Sequence, residues 1–176
     1  MTIFDTLPAC FALAGAVLLV VAAVRRGSLT AVIKAHDLLP VFLVRLAPLV
    51  GPAEGLAGAA VLAGWLAGEA RLLRFAAAAV ALWYLALAAY LAVLLRRRGR
   101  VPCGCLDETS PASAVKVGRA VLLALATAPL VAGWPPVPAE TGARLLASGL
   151  ATFVAGFLIV AGKVADLQGT SAAHGR

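Results

Sequence analysis

Charged side chains are scarce in this chain, with Asp, Glu, Lys and Arg making up 13% of its 176 residues. A soluble domain carries about 25%. With 62% hydrophobic residues and a mean hydropathy of +0.99, too few polar side chains remain to coat a soluble globule of this size. Aromatic residues are also few, at 6%, and they are not interleaved with the basic ones. The net charge of +7 therefore does not describe a groove that tracks phosphates, and nucleic-acid binding is not expected. The sequence lacks a Walker motif, a Rossmann glycine pattern, His-Glu-x-x-His and a Ser/His/Asp set, which argues against an autonomous hydrolase or a nucleotide-driven pump. Without an internal inverted repeat, a secondary transporter is poorly supported. No Gln/Asn-rich tract, charge block or long Gly/Ser linker marks disorder, and the length suits one bundle with no second domain.

What the chain does have is Ala, Leu, Val and Gly in long runs, the vocabulary of closely packed membrane helices. Crossing a hydrocarbon core takes about 20 apolar residues. Phe75 to Leu95 contains no charge and stops at Arg96-Arg97-Arg98-Gly99-Arg100. Phe4 to Val24 is closed by Arg25-Arg26-Gly27. Pro52 to Gly68 is apolar apart from Glu54, Arg119 to Trp134 carries Pro129 as an expected kink, and Leu145 to Gly162 is short but unbroken. Ser28 to Val50 differs, because Lys34, His36, Asp37 and Arg45 are scattered among its apolar residues. Each charge near a helix centre costs about 2.5–3.5 kcal/mol on insertion scales, so this segment reads as interfacial and amphipathic, with its polar cluster solvated. The expected fold is all-α: a polytopic transmembrane bundle of four to five spans plus one interfacial segment. Residues 1–165 form a single transmembrane domain, and 166–176 are expected to be a disordered polar tail.

The basic residues set an orientation. With the N-terminus outside and five spans, twelve Lys and Arg residues face the cytoplasm and only Arg71, Arg74 and Arg144 lie outside. A cleaved leader is not expected, since the positive charge follows the first apolar run instead of preceding it. Leu7-Pro8-Ala9-Cys10 lacks the apolar region that a lipoprotein site needs before it.

Two of the three cysteines are almost adjacent, at Pro102-Cys103-Gly104-Cys105, directly after the arginine run. Positive potential favours thiolate over thiol, which predicts reactive cysteines with a lowered pKa. Gly104 lets the backbone bring both sulfurs together. The small ring of a Cys-x-Cys disulfide suits exchange better than stapling, because it closes almost no loop. Two incidental loop thiols are the plain alternative. A metal site is a third reading, in which His174, His36 and Cys10 would complete the ligand set from distant segments, since no second cysteine pair stands at finger-like spacing. Cys10 itself reads as a small buried residue. Glu54 is the carboxylate within an apolar run and so a candidate for function. Its competing reading places it in the first turn of a helix after Gly51-Pro52, stabilised by the dipole. Arg119 is its candidate partner.

Taken together, these features have a familiar order. A first span leads to a Lys-bearing segment (Leu29 to Leu46), then to Pro-x-Glu-Gly at Pro52 to Gly55 and two further spans. A basic loop with Cys103-Gly104-Cys105 follows, and Gly118-Arg119 opens another span. Over about residues 10 to 160 this resembles the methylamine-utilisation MauE family, a branch of the DoxX-like redox-associated membrane proteins. Where that family continues the cysteine pair with Phe-Gly, this chain has Leu106-Asp107. The resemblance implies a multi-pass protein of the bacterial inner membrane, working with a thioredoxin-like partner. It also implies a part in maturing an exported, disulfide-rich amine dehydrogenase subunit. On this reading Cys103 and Cys105 exchange thiol and disulfide, Glu54 and Arg119 support them, and no cofactor or metal is needed. A non-enzymatic assembly or export factor, or a small-solute transporter, are the alternatives in which the cysteines are incidental.

Overall fold

The computed structural model describes residues 3–25, 29–38, 40–99, 101, 111–134, 137–138 and 140–174. These form seven helices: α1 (Ile3–Arg25), α2 (Leu29–His36), α3 (Val41–Val44), α4 (Ala47–Ala67), α5 (Ala70–Arg98), α6 (Ala114–Ala132) and α7 (Thr141–His174). No strand occurs among the described residues, so the chain is an all-α polytopic bundle. Four stretches are long and apolar enough to cross a membrane: Ala47–Ala67, Ala70–Arg98, Ala114–Ala132 and Thr141–Ala161. The apolar stretch of α1, Pro8–Val24, is shorter.

Local chemistry explains where the helices stop. Gly68 ends α4 at φ 76°, a left-handed conformation that only glycine adopts without strain. Its N–H donates to Trp65 O at 3.2 Å, and the next N–H, of Glu69, reaches Gly64 O at 2.9 Å. Since α5 starts at Ala70, α4 and α5 form a tight antiparallel hairpin. Ser113 caps α6, its hydroxyl accepting from the N–H of Lys116. That helix therefore begins five residues before the expected Arg119, and it runs on through Pro129. The last helix extends past its apolar run to His174, through the residues read from sequence as a tail.

The first helix sits at the centre. Between Pro8 and Val24 only Phe11 and Val24 are exposed, because α1 packs against α4, α6 and α7 and also touches α5. Apolar residues on every face suit a helix that others surround. Small residues permit the closest of these crossings. At Gly58 of α4, an added Cβ would lie 2.5 Å from the backbone oxygen of Ala16 in α1. Large apolar side chains such as Leu56, Phe75, Leu82, Phe153 and Phe157 point outward instead. In water they would be an aggregation liability, whereas in lipid they are the expected coat.

Antiparallel packing gives the bundle two ends. Cys10 meets Ala147, Trp65 Nε1 donates to Arg144 O at 3.2 Å, and Arg74 lies against Gly133. These contacts gather Arg71, Arg74 and Arg144 at one end. The opposite end holds Arg96, Arg97 and Arg98 at the close of α5, and Lys116 and Arg119 at the opening of α6. From Leu73 to Arg98 the rise is about 37 Å, so the two ends are a membrane apart.

Candidate functional site

Cys103 and Cys105 lie outside the described residues, but the points where their segment leaves and rejoins the bundle are defined. The N–H of Ala112 donates to Val101 O at 2.8 Å, pinching the segment at its base. Lys116 Nζ donates to Pro111 O at 2.6 Å on one side of this neck. Beneath it, Leu91, Leu94 and Ala112 form a small apolar cluster, joined by Leu38, Tyr90, Val101 and Val117. The neck thus stands at the basic end, between exposed Arg96–Arg98 and the start of α6.

His36 corrects the reading of its cluster as a solvated face. It is 5% exposed, and its Nδ1 lies 2.5 Å from the hydroxyl of Tyr90 on α5. Lys34 and Asp37 beside it are exposed, with Asp37 Oδ2 3.8 Å from Arg98 Nη2. The reason lies in Tyr90, whose half-buried ring packs on the apolar cluster while its hydroxyl needs a polar partner. A tyrosine inside an otherwise uncharged apolar run was the signal available in the sequence.

Glu54 is buried at 1% exposure and accepts a hydrogen bond from Trp83 Nε1–H at 2.6 Å. Because α4 begins at Ala47, seven residues earlier, Glu54 stands in the third helical turn. The first-turn dipole reading is thereby corrected, since that effect fades beyond the first turn. Its place is instead the seam between α4 and α5, where a carboxyl oxygen accepts from the indole N–H. Arg119 is half-buried and has a different partner, its Nη1 donating to Leu158 O of α7 at 3.5 Å. The two candidate supporting residues thus tie different helix pairs, Glu54 joining α4 to α5 and Arg119 joining α6 to α7.

Trp83 and Tyr90 are seven residues apart on α5, two turns on the same face. One face of that helix therefore carries two polar rungs, Trp83 with Glu54 and Tyr90 with His36, ascending toward the neck below the cysteine segment. Sequence reasoning named the acid and the histidine but neither aromatic partner. Cys10 is buried at the other end, its Sγ 4.0 Å from Ala147 O. It therefore cannot share a ligand set with His36. Among the described residues no three His, Cys, Asp or Glu side chains gather as metal ligands would.

In comparisons with known proteins, residues 3–134 match the family described as Methylamine utilisation protein MauE. No curated protein and no solved structure matches the chain.

Proposed function

The chain belongs to the MauE family, and from that membership we propose that it is a membrane thiol–disulfide exchange component working through Cys103 and Cys105. The observation that carries this reading is the setting of the Cys-Gly-Cys segment. It springs from a neck pinned at Val101 and Ala112, directly beyond Arg96–Arg98. Positive potential there stabilises a thiolate, the form that attacks a disulfide. In the direction that reduces a thioredoxin-like partner, one thiolate of the pair attacks a sulfur of the partner's disulfide. A mixed disulfide forms and a partner thiolate leaves. The second cysteine gives up its proton and attacks the mixed disulfide, releasing the partner's other thiolate. The products are a Cys103–Cys105 disulfide and a partner dithiol, with two electrons passed. The reverse sequence oxidises the partner.

On this reading the basic end, and with it the pair, faces the cytoplasm, as positive-inside asymmetry favours, and equivalents are relayed from there across the inner membrane. Glu54 and Arg119 are supporting groups that fix helix seams, and the client is an exported amine dehydrogenase subunit. Labelling of intact cells and inverted vesicles with a membrane-impermeant maleimide, with and without reductant, tests side and redox state together. Labelling confined to inverted vesicles, and increased by reductant, is expected. Unimpaired client maturation in a Cys103→Ser/Cys105→Ser chain would overturn the exchange reading.

A further inference from the structure

A cleft of about 340 Å³ runs between α6 and α7, within the size range of ligand pockets. It exists because each of these helices packs on α1 more extensively than on the other, leaving α1 as the floor. Leu122, Leu123, Leu158, Ala161 and Phe11 give it apolar walls. Two contacts set its length. Arg119 at one end reaches Leu158, while Phe11 at the other adjoins Cys10, which meets Ala147. Leu158 and Ala147 are eleven residues apart on α7, about 16 Å along its axis. Gly118 leaves the wall open, since a Cβ there would meet no atom within 4 Å.

Polar groups enter at the mouth, from Ser113, Lys116 and Arg119 at the start of α6. Lys116 is already engaged, its Nζ donating to Pro111 O at 2.6 Å in the neck, so its charge asks nothing of an occupant. Ser113 is different. Its hydroxyl oxygen accepts from the N–H of Lys116 at 3.4 Å, and among the described residues its O–H has no acceptor. Arg119 carries five N–H donors, of which one reaches Leu158 O at the long distance of 3.5 Å. No carboxylate among the described residues lines the cleft to receive the rest. The mouth thus presents two separated donors above an apolar channel.

We propose that the cleft binds an isoprenoid quinone, its tail lying between α6 and α7 and its ring at the mouth. A para-quinone bears carbonyl oxygens on opposite edges of one ring, so it can accept from Ser113 Oγ–H and Arg119 at once. A diacyl lipid also has carbonyls, but it brings two chains to a single channel. A neutral ring needs no second cation, which fits a mouth where Lys116 is taken. The position matters as well. Ser113 directly follows Ala112, whose N–H anchors the neck at Val101 O, so the ring stands beside the base of the cysteine segment. Resting on the exchange reading, the quinone is then the electron acceptor of Cys103 and Cys105. The two thiols lose two protons and two electrons and close an S–S bond, and the quinone takes up both to become a quinol. The disulfide so formed oxidises the thioredoxin-like partner.

The test uses the purified full-length protein in detergent micelles, titrated with ubiquinone-2 and followed by the ultraviolet absorbance of retained quinone. Wild type should bind it. Arg119→Met should weaken binding by at least about ten-fold, as loss of a charged donor does, and Ser113→Asp by about five-fold. Aspartate keeps the helix cap and removes only the hydroxyl donor. Gly118→Leu, which fills the channel, should fold normally by circular dichroism and retain no quinone. Cys103→Ser/Cys105→Ser should bind as wild type does, but only the wild-type dithiol, freed of excess reductant, should convert bound quinone to quinol. The proposal is overturned if wild type retains no quinone, or if affinity is indifferent to both Arg119→Met and Ser113→Asp. Displacement of the quinone by an equal concentration of phosphatidylglycerol or phosphatidylcholine would also overturn it. Retention without reduction would leave the site standing and overturn the electron transfer, whereas normal client maturation in the double-serine chain would count against the exchange reading alone.

Discussion

One methyl group at Gly58 should separate α1 from α4. A Cβ built there lies 2.5 Å from Ala16 O, 3.0 Å from Val20 Cγ2 and 3.3 Å from Leu19 Cβ. Carbon contacts are comfortable at about 3.5–4.0 Å, so the helices must part by about 1 Å at the crossing. The closest atom is backbone and cannot rotate away. Overpacking of this kind costs about 1–3 kcal/mol, while replacing glycine by alanine inside a helix returns about 1 kcal/mol. Gly58→Ala should therefore lose up to about 2 kcal/mol net. For a chain of this length that lowers the midpoint of thermal unfolding by up to about 8 °C. Circular dichroism of the protein in detergent reads the change, with Gly149→Ala as the matched control. Gly149 also lies within a helix, α7, but a Cβ there meets nothing within 4 Å, so only the propensity gain remains. The two variants should shift in opposite directions. If Gly58→Ala is stabilised as much as Gly149→Ala, the close crossing of α1 and α4 is refuted.

Three further outcomes follow from individual contacts. Trp83→Phe removes the indole donor to Glu54 and should destabilise the bundle by about 0.5–1.5 kcal/mol; Glu54→Gln, which keeps an acceptor oxygen, should lose less in the same thermal assay. Tyr90→Phe deletes the hydroxyl that holds His36, at about 1 kcal/mol. Faster hydrogen exchange confined to α2 and the neck is expected, and unchanged exchange there would refute the latch. Ser113→Ala removes the cap of α6, with a loss near the low end of about 0.5–2 kcal/mol because the bond is long at 3.4 Å. Exchange should quicken at the first turn of α6 and leave its C-terminal half unchanged.

The class of fold was legible because apolar run length is a strong signal, and α5 shows why. Its core carries no charge, and its end is written in three arginines and Gly99. The start of α6 was harder to see, since Lys116 interrupts the hydropathy while Ser113, the actual signal, is a single capping residue. The central position of α1 left no mark at all. A helix apolar on every face shows no preferred side, so nothing in its pattern says whether lipid or protein surrounds it. Family membership was legible from Cys103-Gly104-Cys105 and its surroundings, and residues 3–134 bear it out. The burial of His36 and the seam around Glu54 depend on partners 54 and 29 residues away. Only packing could bring those together.

The pinched base at Val101 and Ala112 also sets a reach. An extended chain spans at most about 3.6 Å per residue. Cys103, two residues from Val101, can therefore stray no more than about 7 Å from that anchor, and Cys105 no more than about 14 Å. In the exchange proposed above, cysteines on so short a tether cannot fish for a partner in the surrounding solvent. Whatever exchanges with them must come down to the bundle's rim, and its own contact face must then tolerate arginines and lipid headgroups alike.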